Sequence, residues 1–153
     1  MDESIQGIIP NTQSCMLGQK AFNLIITDKR LIVATLTSDM IKQEAKRQAE
    51  ESKAQGEGIF KRMAKTATAG TSLYKKYFDM TAEQILAEHA DNYAIDPSMV
   101  KKIKVKQGYF KEHQSKRTPN ELKIKTTDGK KVFRFSHPTA KEAKNMISQT
   151  FGL

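Results

Sequence analysis

Cations that alternate with apolar residues between Val100 and Arg134 are the residues whose chemistry is easiest to anticipate. This window holds twelve lysines and arginines against three acids, so it accounts for the net charge of +9 of the whole 153-residue chain. A concentrated patch of one sign attracts anionic partners more strongly than the same charge spread over a surface. The candidate anion-binding cations are Lys102, Lys104, Lys106, Lys111, Lys116, Arg117, Lys123, Lys125 and Arg134.

The segment Gln107–Asn120 adds two aromatic residues, Tyr109 and Phe110, to these cations. Aromatic rings beside lysines suit a membrane interface, where the rings enter the headgroup region and the cations meet anionic lipid. They also suit single-stranded nucleic acid, whose bases stack on rings above a basic groove. A third interpretation has both rings packed on the domain and the lysines simply solvated, as on strands that avoid edge-to-edge pairing.

The other reactive side chains predict neither a metal site nor catalysis. His89, His113 and His137 share no ligand spacing, and the single cysteine, Cys15, is typical of a small apolar residue in a strand. The sequence has no glycine-rich phosphate loop, no nucleophile elbow and no carboxylate pair within a recognisable motif. We therefore expect no cofactor, no metal and no enzymatic activity.

Composition indicates a globular protein without a membrane span. Hydrophobic residues make up 38% and charged residues 28% of the chain. No apolar stretch approaches the roughly 18 residues of a membrane-spanning helix, and the acidic start Met1-Asp2-Glu3-Ser4 is unlike a signal peptide. One cysteine excludes an internal disulfide framework. We expect a single domain over residues 1–153 in the cytoplasm, peripheral at the membrane where the anionic partner is lipid.

The first region, residues 1–37, is rich in strand formers, with expected strands at Ile5–Ile9, Gln13–Leu17, Phe22–Thr27 and Leu31–Leu36. A turn at Pro10-Asn11 is expected to separate the first two strands, and a hairpin turn at Asp28-Lys29 the last two. The last two strands are continuously apolar rather than alternating. This pattern predicts that both of their faces are at least partly covered.

The second region, residues 38–90, is rich in Ala, Lys, Glu and Gln, which favour helices. Ser38-Asp39 is expected to cap a first, mostly polar helix that ends near Gly56 or Gly58. A second helix over Ile59–Phe78 carries an apolar stripe at helical spacing, and Thr81–Gln84 fits a capping box before a short helix. We expect the stripe to pack on the domain itself; the alternatives are a second copy of the chain and a membrane surface.

The third region, residues 91–153, returns to strands and ends in a helix. Val100–Gln107 and Glu121–Thr126 alternate, with aliphatic residues facing inward and lysines outward. Asp128-Gly129 predicts a hairpin turn into Lys131–Ser136. Pro138 is expected in the first turn of a final helix, whose apolar face comprises Ala140, Ala143, Met146, Ile147, Thr150 and Phe151.

Three stretches carry a family resemblance. In Leu24–Ile32, apolar residues flank Thr27-Asp28-Lys29-Arg30; Ala94–Ile103 is a strand with spaced isoleucines, and Glu121–Gly152 is a hairpin followed by a helix. Together they resemble prokaryotic pleckstrin-homology-like, or GRAM-like, domains. The resemblance implies an α+β fold in which residues 1–37 and 91–153 form a bent β-sandwich or split barrel, capped by the C-terminal helix and interrupted by a helical insert over residues 38–90.

The resemblance also bears on two basic residues. Arg30 is expected to have a structural role, packing its stem and pairing with backbone carbonyls or with an acid. Family members that bind inositol phospholipids usually carry several cations around the first strand–strand loop, where this chain has Lys20 alone. The family scaffold therefore implies a binding module rather than a particular ligand.

The sequence predicts a non-catalytic binding or adaptor module whose basic sheet face meets anionic membrane surfaces or protein partners. Two alternatives stay open. One is a nucleic-acid-binding protein that uses the same lysines, and the other is a scaffold that forms a homo-oligomer through the helical insert. The anion-binding hypotheses require that Val100 to Arg134 pleat so that their cations gather on one outer surface.

Overall fold

One antiparallel sheet of seven strands organises the part of the chain that the computed structural model describes, which is residues 3–14, 20–54 and 73–152. In chain order the strands of the molecule are β1 (Ile5–Ser14), β2 (Ala21–Thr27), β3 (Leu31–Leu36), β4 (Tyr93–Ile95), β5 (Val100–Lys106), β6 (Phe110–Lys111), β7 (Lys116–Arg117), β8 (Asn120–Thr126) and β9 (Gly129–Phe135). The helices are α1 (Ser38–Ala54), α2 (Ala82–Ala87) and α3 (Ala140–Phe151), with 3₁₀ turns at Leu73–Asp79, Pro97–Met99 and Glu112–Gln114.

The sheet has the strand order β4-β3-β2-β1-β9-β8-β5, and β6 and β7 form a separate hairpin. Among the described residues the edge strands β4 and β5 do not pair with each other, so the sheet is not closed into a barrel. The expected α+β class is confirmed at this level: a large antiparallel sheet with a C-terminal helix.

Helix α3 packs against one side of this sheet and draws all seven strands into one core. Its Ala143 and Ile147 share a buried cluster with Ile95 from one edge strand and Ile103 from the other. The helix makes direct contacts with β1, β2 and the edge strand β5. In the sheet order β2 and β5 are four strand spacings apart, roughly 19 Å in a flat sheet, whereas a helix is only about 10 Å across. The sheet therefore curves around the helix. The predicted apolar face of α3 is confirmed.

The opposite side of β1 to β3 is covered by the end of the helical insert. Tyr77, Ala82 and Ile85 pack there against Ile25 and Ile32. As a result every residue of β3, and every residue of β2 from Phe22 to Thr27, is buried. The prediction that these strands are covered on both faces is confirmed.

One expectation about the insert needs correction. The segment Leu73–Asp79 is a 3₁₀ helix rather than the end of an α-helix. Its Tyr77 packs on the chain's own sheet, as expected of the stripe. Residues 59–72, which hold the rest of the stripe, lie outside the described residues, so self-association through them stays a prediction. The capping box at Thr81 and Gln84 is confirmed.

Strand β1 continues through the position where a turn was expected. Residues Ile5–Ser14 form one strand, and a register shift between Ile9 and Thr12 takes up Pro10-Asn11 as a bulge. Asn11 has φ 51°, a left-handed conformation that asparagine tolerates better than most residues, and its N–H donates to Asn23 Oδ1 at 2.9 Å. The expected turn at Pro10-Asn11 is therefore wrong, and residues 15–17 lie outside the described chain.

Both long helices start one or two residues away from their expected caps. Thr37, not Ser38-Asp39, caps α1, because its hydroxyl accepts the Met40 N–H at 3.1 Å. Thr139 caps α3 through a capping box with Glu142. Pro138 consequently precedes the cap instead of lying in the first turn. Proline there cannot donate a helical hydrogen bond, which is consistent with a helix that begins just after it.

Arg30 has the structural role that the sequence suggested. Its guanidinium contacts the Glu3 carboxylate, with Nη2 at 3.0 Å from Oε2 and Nε at 3.0 Å from Oε1. Burial opposes ionisation of Glu3, but hydrogen bonds from Arg30 and Thr27 outweigh it and hold the pKa of Glu3 below its ordinary 4.5. The pair fastens the chain start to the β2–β3 turn.

Replacing Glu3 by Gln should lower the free energy of unfolding at pH 7 by about 1–2 kcal/mol, because a hydrogen-bonded carboxylate is lost. The folded-state pKa lies below the unfolded value, so this stabilisation is present above pH 4.5 and fades as the pH falls through the folded pKa. Urea unfolding at pH 7, 5 and 3 measures the difference between wild type and variant. The exposed Asp79, changed to Asn, is the control. A difference that is absent at pH 7, or as large at pH 3, would contradict this role.

Candidate anion-binding surface

The cations of β5, β8 and β9 lie on one side of the sheet, in three rows that cross the strands. Cross-strand pairing places Lys102 opposite Lys125 and Lys125 opposite Lys130. The second row is Lys104, Lys123 and Val132, and the third is Lys106, Glu121 and Arg134. We call these nine residues the outer wall. Side chains two residues apart point to the same face of a strand, so the predicted gathering of cations on one surface is confirmed.

The inner faces of the same three strands hold their predicted apolar residues. Ile103, Leu122, Ile124, Phe133 and Phe135 are all buried in the cluster around α3. The turn before β9 lies at Thr127-Asp128, and Gly129 opens the strand with φ 132°. The predicted tight hairpin is confirmed, with its turn one residue earlier than the expected Asp128-Gly129.

Seven cations and a single acid make up the charge of the outer wall. Glu121 is that acid; its carboxylate lies 3.5 Å from Lys123 Nζ and 4.0 Å from Arg134 Nε. Among the described residues, no ion pair neutralises Lys102, Lys104, Lys125 or Lys130. Like charges on neighbouring strands repel each other. An anionic partner that contacted these lysines would relieve that repulsion.

A shallow depression of about 440 Å³ lies over the first two rows of the wall. Its lining is cationic apart from Thr126 and Gly129: Lys102, Lys104, Lys123, Lys125 and Lys130. Lys130 and Val132 were not among the sequence candidates. The sequence does contain a signal for them: both lie at two-residue intervals from Arg134, and residues at that interval share one face of a strand.

The aromatic residues of the candidate site lie on the β6–β7 hairpin beyond the ends of β5 and β8. Gly108 and Thr118 hold its base. The Gly108 N–H donates to Asn120 Oδ1 at 2.8 Å, and the Thr118 N–H donates to the Tyr109 carbonyl at 2.8 Å. The Thr118 hydroxyl also accepts the Tyr109 N–H at 2.7 Å. These bonds define the direction in which the hairpin leaves the sheet.

Both aromatic rings are exposed, Tyr109 by 55% and Phe110 by 58%. The interpretation in which they pack on the sheet is therefore wrong. The Lys111 ammonium lies 5.8 Å from the centre of the Tyr109 ring, within the range of a cation–π contact. An exposed ring beside a cation can enter a lipid interface or stack on a base, so both functional interpretations keep their geometric basis.

The two faces of the hairpin have different neighbours. Tyr109, Lys111 and Lys116 line a groove of about 320 Å³ together with Lys106 and Arg134 of the outer wall. Phe110 pairs with Arg117 across the hairpin, and Arg117 lines a different cavity, of about 520 Å³, near the start of α3. The structure thus joins nine of the eleven sequence candidates into one surface and places Phe110 and Arg117 on the other face of the hairpin.

The remaining titratable side chains of the described residues are not gathered into a metal site. No group of three or more His, Cys, Asp or Glu side chains in this part of the chain is arranged to hold a metal ion. The His89 ring accepts the Asp91 N–H at 3.0 Å. Burial raises the pKa of the Tyr93 phenol to about 12, so it stays neutral, and Lys131 Nζ lies 4.7 Å from its ring centre.

Comparison with models of known protein families, with curated proteins and with solved structures finds no match for this chain. Over the described residues, no helix has both the length and the apolar character needed to cross a bilayer. The outer wall and the hairpin are therefore the features from which a function is inferred.

Changing Gly108 to Ala should disorder the hairpin, because a Cβ atom at this position would lie 2.0 Å from the Thr118 carbonyl oxygen. Moving the backbone to relieve such an overlap lowers the free energy of unfolding by about 1–3 kcal/mol. Amide hydrogen exchange should become faster at Tyr109 and Thr118, while β8 and β9 keep their protection. The exposed neighbour Gln107, changed to Ala, is the control. Unchanged exchange in the Gly108 variant would show that this close approach does not hold the hairpin.

Proposed function

We propose that the protein is a non-catalytic binding module that adsorbs to anionic membrane surfaces through the outer wall and the β6–β7 hairpin. The observation that carries this proposal is the wall itself, where seven cations and one acid share one face of three strands. The module would act peripherally, on the cytoplasmic side of a membrane, and would also be available to protein partners.

Electrostatics and ring insertion would contribute in different ways. Each lysine or arginine near an anionic leaflet contributes about 1 kcal/mol, and this attraction decays over a Debye length of about 8 Å at physiological ionic strength. The outer wall, with cations on three adjacent strands, brings several of them within that distance at once. The exposed ring of Tyr109 lies beside Lys106 and Arg134 in the groove and would enter the headgroup region next to them.

The fold gives this proposal a family context. A curved antiparallel sheet, a C-terminal helix packed inside it and the β2–β3 turn with Arg30 support assignment to the pleckstrin-homology-like domains, with residues 38–90 as an insert. The proposed contact surface differs from the phospholipid site of that family. The loop between β1 and β2 offers Lys20 alone, so the proposal assigns lipid attraction to β5, β8 and β9 instead.

Nucleic acid is the alternative partner of the same surface, favoured by the exposed Tyr109 ring beside Lys111. Phosphate neutralisation releases counterions, so affinity for oligonucleotides would fall linearly with salt on a double-logarithmic plot. Single-stranded binding would depend on Tyr109 in addition to the wall. Vesicle and oligonucleotide titrations at matched ionic strength separate the two partners.

Reversing two central charges, Lys104→Glu with Lys123→Glu, should weaken binding to vesicles that contain phosphatidylserine by at least about thirtyfold at low salt, since two attractive contacts of about 1 kcal/mol each are lost. The matched control reverses Lys141 and Lys144, which are exposed on α3. This control has the same net charge but an intact wall. Vesicle sedimentation measures both variants between 50 and 300 mM salt, a range over which the screening length falls from about 14 Å to about 6 Å.

Three results would contradict the membrane proposal. One is equal loss in the wall variant and the α3 variant, because net charge alone would then explain binding. Another is binding that does not fall as salt rises, since attraction to the wall is screened. The third is binding to neutral vesicles as strong as to anionic ones.

A further inference from the structure

Within residues 3–14, 20–54 and 73–152, nothing pairs with the outer edge of β5. The strand ends the sheet order and pairs on one side only, with β8. Among the described residues, no backbone hydrogen bond reaches the other side of Lys102–Lys106. An unpaired edge presents a row of N–H and C=O groups that can accept another strand. The other edge strand, β4, has only three residues, whereas β5 has seven.

The apolar side of β5 is incompletely covered at this edge. Val100 and Val105 pack against the core around α3 but stay only partly buried, while Ile103 between them is buried to 9% exposure. A strand added beside β5 would place every second side chain next to these valines. Apolar residues at those positions would complete the burial of Val100 and Val105 and would gain hydrophobic stabilisation.

The lysines on the polar side of β5 determine which charge is favourable on an added strand. Lys102, Lys104 and Lys106 are exposed on the outer wall, and the next strand places Lys125 and Lys123 beside the first two. A second copy of β5 would put lysines opposite lysines, which is destabilising. Glutamate or aspartate at alternate positions would instead face the three lysines, so charge complementarity favours an acidic partner.

We propose that the β5 edge accepts an extended acidic segment of another protein, in which Asp or Glu alternates with aliphatic residues. Its main chain continues the sheet, its acids face Lys102, Lys104 and Lys106, and its aliphatic residues cover Val100 and Val105. This mode of recognition takes affinity from main-chain hydrogen bonds and specificity from alternate side chains. It does not depend on membrane binding, because the bonds form along the strand's edge.

The test uses the full chain and two synthetic octapeptides of identical composition, one alternating Glu with Val and one with four Glu followed by four Val. Fluorescence anisotropy measures affinity, and amide hydrogen exchange reports on β5. The alternating peptide should bind at least about tenfold more tightly, because only it can face three lysines while covering the valines. It should also slow exchange of amides within Lys102–Lys106, which a contact between side chains alone would not do.

Paired variants assign the site. Lys102→Glu with Lys104→Glu should weaken binding of the alternating peptide about tenfold or more, whereas Lys141→Glu with Lys144→Glu should change it little. Equal affinity for both peptides, absence of binding, or binding without protection of β5 amides would overturn the proposal. The exchange measurement on wild-type protein shows whether the peptide pairs with β5, so the proposal can be tested even where a variant folds poorly. Vesicle binding is scored separately, so failure of either proposal leaves the other distinguishable.

Discussion

One buried core shared by a helix and all seven strands is the constraint on which the rest of the structure depends. Ala143 and Ile147 of α3 lie in the same cluster as residues from both edges of the sheet, and α3 contacts β1, β2 and the edge strand β5, which a flat sheet would hold far apart. The sheet therefore curves, with its aliphatic side turned inward. On β5, β8 and β9 this leaves the alternate residues, most of them lysines, on the convex outer side.

The same packing explains how the chain tolerates concentrated charge. Rows such as Lys102, Lys125 and Lys130 place like charges on neighbouring strands, which costs stability. Buried Leu122, Ile124 and Phe133 on the inner side offset that cost through apolar burial. The repulsive outer surface is tolerated because the buried inner faces hold the three strands in place. The repulsion that remains would be relieved by an anionic partner. On β2 and β3 the side away from α3 is instead covered by Tyr77, Ala82 and Ile85 at the end of the insert.

Sequence patterns predicted the local periodicity well and the non-local arrangement less well. Alternation in Val100–Gln107 and Glu121–Thr126 was sufficient to assign inward and outward residues, since a two-residue period has one geometric meaning in a strand. Pro10-Asn11 looked like a turn, but Asn11 tolerates positive φ and the strand absorbs both residues as a bulge. No periodic pattern in the sequence predicts which residues lie on each face of the β6–β7 hairpin. That arrangement follows from the close approach of Gly108 to Thr118, which is a non-local contact.

Paramagnetic relaxation from a gadolinium-chelating lipid in anionic nanodiscs tests the central claim most directly, because it maps which side of the curved sheet faces an anionic surface. The account predicts the strongest broadening at backbone amides of the outer wall and at Tyr109, with little effect on α2 or on the 3₁₀ helix Leu73–Asp79. Broadening that is strongest at α2 and that 3₁₀ helix, or that is spread evenly over both sides, would contradict it.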